Sequence, residues 1–330
     1  MADRRNWIFP AAAALVFISC LLSLCLGAAK LPLSALWQAI LQGPHSTAGM
    51  IFWYSRLPRT AACLLAGAAL ATSGCVLQTV LGNRLSSPGI IGVNAGAGLA
   101  VTACCAAGLL SGWVISLSAF GGAMVAALTV MLLARKTGAG RTTVILSGVA
   151  MNSILNALRD AVTTLIPEAG MLGSDFRVGG FSAISSHRLI PAAVLILAGL
   201  GVCLSLCNEL DVLALGEETA QSLGLSVRKM RTLFLILAAV LAGAAVSYAG
   251  LLGFVGLIVP HAARHLVGNE SRRLLPLCAL GGAGFVTACD LASRLLFAPF
   301  EIPVGILMAI IGGPFFLWLL LKRKGGHRHD

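Results

Sequence analysis

The segment Asn208–Arg231, NELDVLALGEETAQSLGLSVRKMR, is the most polar long stretch of an otherwise largely apolar chain. It contains four of the twelve acidic residues, namely Glu209, Asp211, Glu217 and Glu218. Gly216 and Gly224 bracket a predicted short helix, which has two glutamates at its N-terminal end and a glycine where a left-handed cap is favoured. A short capped helix outside the membrane indicates a docking surface, and the alternative is a solvated connector.

The composition of the whole chain is that of a protein that lies in a lipid bilayer. Of the 330 residues, 58% are hydrophobic and only 11% are charged, and the mean hydropathy is +0.93. Soluble domains carry about 25% charged residues. We therefore predict an all-α polytopic membrane protein in which residues 1–330 form a single transmembrane domain. A nucleic-acid-binding protein is excluded, because that function needs a basic face on a soluble domain.

Ten apolar runs have a length that suits a membrane-spanning helix, so we predict about ten transmembrane helices. They are Trp7–Ala29, Thr60–Leu81, Ile90–Leu110, Trp113–Ala134, Thr142–Ile166, Leu189–Cys207, Thr232–Gly250, Leu252–Val267, Leu274–Leu291 and Val304–Leu321. Lys30–Ser55 is predicted to be a mixed loop with Trp37, Trp53 and Tyr54, which are aromatic residues typical of the membrane interface. The boundary at Gly250–Leu252 is the least defined, because the apolar signal continues through it without a polar break.

Basic residues are distributed unevenly between the two sides of this predicted topology. With the N-terminus inside, 16 of the 23 Lys and Arg residues fall on the inner side and 7 on the outer side. Cytoplasmic loops are enriched in Lys and Arg, so both termini are predicted to be cytoplasmic. The polar segment Asn208–Arg231 then lies in the cytoplasm, and Arg56 and Arg59 lie outside.

Glycine is abundant, with 38 residues in the chain. Two GxxxG pairs, Gly92/Gly96 and Gly108/Gly112, predict helices that approach each other closely.

Motifs for nucleotide binding or catalysis are missing. The stretch 138–143, GAGRTT, lacks the Lys-Ser/Thr ending of a phosphate-binding loop. Acidic residues in the spans are few: Asp160 is next to Arg159, and Asp290 is near Arg294. A proton- or sodium-driven transporter usually has a midplane acid. The energy for transport is therefore expected to come from another protein, and the chain is not predicted to be an enzyme.

Two pairs of possible metal ligands have helical i, i+4 spacing. Cys203 and Cys207 form one pair, but no histidine or carboxylate is placed to complete a metal site, so we interpret them as packing residues. His261 and His265 form the other pair at a helix end. A structural pair is the simpler interpretation, and a metal or haem contact is the alternative.

Four stretches resemble, in order and spacing, the signatures of the FecCD permease family, which includes the vitamin B12 importer permease. These are Arg56–Ala100 (beginning RLPRTAACLLAG), Ala214–Arg231, Gly250–Gly268 (GLLGFVGLIVPHAARHLVG) and Glu301–Lys324. The similarity runs from about Trp53 to Lys324. Members of this family are membrane subunits of ABC importers for iron–siderophores, haem and vitamin B12.

The resemblance implies the type II ABC importer architecture in the bacterial cytoplasmic (inner) membrane. The implied partners are a second permease copy or paralogue, two cytoplasmic ATPases that hold ATP and Mg, a periplasmic or surface-anchored binding protein, and membrane lipid. No cofactor or metal is implied in this chain. The expected cargo is a large metal chelate, with iron–siderophore first and haem or cobalamin next. An ion-coupled secondary transporter or channel is the alternative function.

The resemblance also assigns roles to individual residues. The residues implied to contact the ATPase are Leu215, Gly216, Glu217, Glu218, Ala220, Leu223 and Gly224. The residues implied to dock the binding protein are Arg56, Arg59 and Arg294. Two cytoplasmic gates are implied: Thr142 and Thr143 form the first, and Asn83 and Leu85 form the second. Arg84 departs from the family pattern, because many relatives have proline there.

Polar residues on the fifth predicted span point to the translocation path. Met151, Asn152 and Asn156 lie on this span, and the two asparagines share one helical face. They line the path in one interpretation and form interhelical hydrogen bonds in the other.

Overall fold

The computed structural model describes residues 7–27, 37, 39, 41, 43–136, 140–298 and 300–324. Within these residues the chain forms fourteen α-helices, two short 3-10 helices (Gly43–His45 and Pro88–Ile91) and no strand. The helices are α1 Ile8–Cys25, α2 Thr47–Leu81, α3 Val93–Ala106, α4 Gly112–Lys136, α5 Arg141–Leu165, α6 Pro167–Leu172, α7 Ser174–Val178, α8 Ser186–Ser205, α9 Cys207–Ala214, α10 Glu217–Ser222, α11 Val227–Ala249, α12 Val255–Val267, α13 Ser271–Leu295 and α14 Val304–Lys324. A π-helical turn, Ile51–Arg56, lies within α2.

Each of the ten predicted spans corresponds to one of these helices, which confirms the all-α membrane fold. Six of the described helices are long and apolar enough to cross a bilayer by length and composition: α1, α2, α4, α8, α11 and α13. The predicted loop Lys30–Ser55 is wrong over its last part, because α2 already begins at Thr47. Ser46 explains this start, because its hydroxyl accepts a hydrogen bond from the Gly49 amide at 3.0 Å and so caps the helix.

Helix α2 is the central element, and α11, α12 and α13 all pack against it. The contacts are made through backbone atoms. A Cβ atom on Gly67 would overlap the carbonyl group of Gly282 in α13, and one on Gly74 would overlap Gly256 in α12. An apolar side chain gains little free energy when it leaves lipid for a protein interior. Close approach of the backbones therefore supplies much of the attraction between helices.

The two GxxxG pairs have different outcomes. Gly96 packs against Gly122 of α4, as predicted, because a Cβ atom on either would overlap the other backbone. The second pair was wrong as a packing motif. Gly108 lies in a turn with φ +73° and nothing within 4 Å of its Cβ position, and Gly112 faces the side chain of Arg188.

The uncertain boundary near Gly250 is a true break between two helices. Helix α11 ends at Ala249, and Gly250 has φ +73°. Hydrogen bonds join this break to α7 and to the residues after it. The Leu251 amide donates to the Phe176 carbonyl of α7 at 2.9 Å, and the Gly180 amide donates to the Ala249 carbonyl, at the end of α11, at 2.8 Å. Backbone that is not helical is tolerated at this depth because protein groups satisfy it.

The loops predicted to be cytoplasmic meet at one end of the helical bundle. Arg141 donates to the Leu213 carbonyl at 3.0 Å and lies over Gly82, while the amide of Ser271 donates to Asp211 at 3.0 Å. Arg59 is 22 residues before the end of α2, so it lies about 33 Å away at the opposite end.

We expect Gly67→Ala to destabilise the protein by about 2 kcal/mol, because the added methyl group would push α2 and α13 apart. Gly201→Ala is the matched control, since nothing lies within 4 Å of its Cβ position. The midpoint of thermal unfolding in detergent measures both. Equal midpoints for the two variants would contradict the close contact.

Candidate functional site

The polar segment folds as two short helices, α9 and α10, with Gly216 (φ +111°) between them. The predicted left-handed cap is confirmed at Gly224, which has φ +83°. The Gly224 amide donates to Gln221 at 2.9 Å, and the Leu225 amide donates to Ala220 at 3.0 Å. This pair of bonds is the Schellman motif, and it fixes the end of α10.

Helix α10 is anchored to the bundle on one side and exposed on the other. Ala220 is fully buried, and Glu217 forms a 2.9 Å salt bridge to Arg231 of α11. On the open side, Leu215 and Leu223 are 61% and 62% exposed. A small fixed helix that presents leucines to the outside has the form of a docking surface. Its contact with an ATPase remains a prediction, as does the role of Glu218.

The two predicted gate regions are neighbours at this same end. Thr142 and Thr143 lie in the first turn of α5, and Asn83 and Leu85 lie in the loop after α2, where the Asn83 side chain accepts a 3.0 Å hydrogen bond from the Leu85 amide. Arg141 lies over Gly82 and so brings the two regions together. The role of all four residues as gates remains a prediction.

The residues predicted to line a path lie on α5, which has one face without contacts in the single chain. Asn152 donates a 2.8 Å hydrogen bond to the Gly89 carbonyl, which fits the interhelical-bond interpretation for that residue. Met151 packs against the core, and Asn156 is half-buried. On the open face, Leu146 and Val149 are exposed.

The three arginines predicted to dock a binding protein form one cluster at the far end. Arg59 binds Asp290 (Nη2 to Oδ1, 2.9 Å) and Glu301 (Nη1 to Oε2, 2.8 Å). Arg294 binds the other oxygen of Asp290 at 3.1 Å. Arg56 donates to the carbonyl groups at the end of α1.

This cluster is largely buried and does not form an exposed patch. Arg56 and Arg294 are only 5% and 4% exposed, so Arg59 and Glu301 form the part nearest to the surface. The pairing of Asp290 and Glu301 with these arginines was not predicted from the sequence. The i, i+4 spacing of Asp290 and Arg294 was an available signal, but the pairing of Asp290 with Arg59 depends on folding.

The members of each pair of possible metal ligands contact each other. The Nε2 atoms of His261 and His265 are 3.2 Å apart. The Cys207 thiol donates to the Cys203 carbonyl at 3.7 Å. Among the described residues, no group of three or more His, Cys, Asp and Glu side chains is placed to hold a metal ion.

Ten of the fourteen α-helices correspond to predicted membrane spans. A capped polar helix lies at one end of the bundle and an arginine cluster at the other, and together these features indicate a multi-pass membrane protein of a transport class. The model of the FecCD transport family matches residues 15–322. The chain belongs to this family, as its sequence motifs predicted.

Two relatives and one solved structure show how close this relationship is. The cobalamin import system permease protein BtuC of Halobacterium salinarum is 41% identical over 86% of this chain and 76% of its own length. The iron-uptake system permease protein FeuB of Bacillus subtilis is 36% identical over 95% of each chain. A structure described as a metal-chelate type ABC transporter in an inward-facing conformation superposes with a TM-score of 0.85 and 29% identity, and the match covers 96% of this chain and 99% of that one.

We expect Asp290→Asn to cost about 3 kcal/mol of stability, because Arg59 and Arg294 would lose their shared buried carboxylate. Glu301→Gln is the control, and it should cost about 1 kcal/mol or less, because this ion pair is partly exposed. Thermal unfolding in detergent compares them. A larger loss for Glu301→Gln than for Asp290→Asn would show that Asp290 does not organise the cluster.

Proposed function

We propose that this chain is the membrane permease subunit of an ABC importer that moves a large metal chelate into the cytoplasm. The observation that carries the proposal is the anchored helix α10, since it offers a separate motor protein a rigid point of contact with the transmembrane helices. Membership of the FecCD transport family supports it. In this scheme both termini are cytoplasmic, and ATP and Mg bind to the partner ATPase.

The energy of ATP hydrolysis would enter through α10 and reach the helices beside it. Helix α10 is tied to α11 by the Glu217–Arg231 pair, and α9 is tied to α5 by the bond from Arg141 to Leu213. Thr142 and Thr143 directly follow Arg141. A displacement of α9 and α10 by the ATPase would therefore act on the start of α5, where we propose the gate.

The complete importer would contain a second permease copy or paralogue, two ATPases and one binding protein. The second permease is proposed to cover the open face of α5, so that the path runs between the two copies past Asn156. The binding protein is proposed to dock at the end that carries Arg59.

The proposed cargo is a ferric siderophore, with cobalamin as the second candidate. An iron-uptake permease is 36% identical over 95% of this chain, which supports the first, and a cobalamin permease is 41% identical over 86% of this chain, which supports the second. Haem remains a prediction. An ion-coupled transporter or channel is the competing function. It is less favoured because Asp160 is exposed and bound to Arg159, and because the buried Asp290 is bound to Arg59 and Arg294 near a helix end.

Copurification with a candidate ABC ATPase tests the proposal. We expect a stable complex with two copies of each chain, together with ATP hydrolysis that rises when the cognate binding protein is added. A permease that never retains an ATPase would contradict the proposed function.

We expect Gly224→Pro to abolish most coupling, because proline requires a negative φ and cannot adopt the +83° that caps α10. Transport per ATP hydrolysed should fall, while membrane insertion is kept. Glu218→Arg should act in the same direction at the docking surface. Glu270→Arg, which makes the same charge change in the loop before α13, is the control and should transport normally. Normal coupling in both α10 variants would mean that the segment is only a connector.

We expect Arg59→Gln to slow association of the binding protein roughly tenfold at low salt, since charges near the rim of an interface act on association rates. Glu301→Gln should have the opposite effect, because it removes the carboxylate that already occupies one side of Arg59. Association rates at low and high salt measure both. Rates that are equal for the two variants at low salt would exclude Arg59 from docking.

A further inference from the structure

A second site lies on the inner side of α10, away from the proposed ATPase surface. A cavity of about 290 Å³ separates α10 from the end of α4 and the start of α11. Its polar lining comprises Arg135, Glu217, Gln221, Arg228, Arg231 and Thr232. Glu217 and Arg231 form the salt bridge that anchors α10, and Glu217 is also among the residues predicted to contact the ATPase; the other four polar residues have no role assigned above.

The charge of the cavity is unbalanced. Arg135, Arg228 and Arg231 contribute three positive charges, and Glu217 is the one carboxylate among the described residues that line it. Arg231 is 5% exposed and binds Glu217, while Arg135 donates to the Thr232 hydroxyl at 3.0 Å. A concave site with two excess guanidinium groups favours an anion with several acceptor oxygens, such as a phosphate group.

The surface beside the cavity is apolar. Leu128 and Leu132 of α4 are exposed and lie on the same side as Arg135, because the three residues have i, i+4, i+7 spacing. Leu133 of α4 and Leu233 of α11 are exposed as well. A basic cavity that continues into an apolar helix surface matches a molecule with a phosphate head and acyl chains.

We propose that this cavity binds the phosphate group of an anionic phospholipid. Arg135 and Arg228 are positioned to bind the phosphate oxygens, and the acyl chains would lie along Leu128 and Leu132. The cavity is at the end of the bundle where the basic loops meet, and the cytoplasmic leaflet attracts such basic segments. The site rests on the cavity and not on the proposed transport function.

Lipid occupancy is linked to the anchoring of α10. The phosphate group and Glu217 are both anions beside Arg231, so they compete for the same positive charge. A bound headgroup would weaken the Glu217–Arg231 contact, and the absence of Glu217 would strengthen lipid binding.

The test is lipid binding to the full-length chain alone, measured by native mass spectrometry with phosphatidylglycerol titrated against phosphatidylcholine. We expect one preferred phosphatidylglycerol per chain. Arg135→Gln with Arg228→Gln should weaken it about 30-fold, at about 1 kcal/mol for each basic residue. Arg272→Gln with Arg273→Gln removes equal charge elsewhere on the same side and should leave the preference unchanged. The corresponding Arg→Lys pair should retain binding, which separates loss of charge from loss of folding.

The opposite effect is expected for Glu217→Gln, which should bind phosphatidylglycerol about 5-fold more tightly. Glu270→Gln is its control and should bind as the unchanged chain does. Equal affinities for the Arg135/Arg228 and Arg272/Arg273 variants would overturn the site.

Two further arms identify the source of the anion. Displacement of the lipid by millimolar inorganic phosphate would show that the cavity takes a soluble phosphate, which overturns the lipid assignment. Loss of ATPase binding in the Arg135/Arg228 variant, with lipid binding unchanged, would instead assign the cavity to a carboxylate of that partner.

Discussion

Close contact between backbones along α2 is the constraint on which the rest of the structure depends. Gly67 meets Gly282 of α13, and Gly74 meets Gly256 of α12, at positions that leave no room for a Cβ atom. Apolar side chains do not drive association inside lipid as they do in water, so contact area at short range is what holds the helices. Because α2 runs from the arginine cluster to the basic loops, these contacts connect the two ends of the protein.

Polar groups hold each end of this bundle in place. At one end, Asp290 is fully buried and binds both Arg59 and Arg294, and such a carboxylate is tolerated only because it is paired. At the other end, the Glu217–Arg231 pair and the bond from Arg141 to Leu213 hold α10 and α9. Both sites that we propose for partner proteins are therefore built on fixed side chains, which reduces the entropy lost on binding.

Much of the fold could be predicted from the sequence, because length and apolarity alone determine which segments enter a membrane. The cap at Gly224 was predictable for a similar reason, since few residues other than glycine adopt a positive φ. The early start of α2 at Thr47 was missed, because aromatic residues such as Trp53 and Tyr54 were interpreted as part of an interfacial loop. The GxxxG interpretation of Gly108 failed because spacing does not show whether a glycine lies in a helix or in a turn.

The candidate sites were predicted less completely, because their geometry depends on contacts between distant segments. Arg56, Arg59 and Arg294 were expected to come together, but their partners Asp290 and Glu301 and their degree of burial were not foreseen. The cavity beside α10 has no sequence motif, since Arg135 and Arg228 come from different helices.

We propose that an ATPase, and not an ion gradient, drives transport through this chain. Uptake of a ferric siderophore and of cobalamin into proteoliposomes tests it most directly, with the permease, its ATPase and the binding protein present. We expect uptake of one of these chelates that requires ATP and persists after ionophores collapse all ion gradients. Uptake that proceeds without ATP and stops with the ionophores would contradict it.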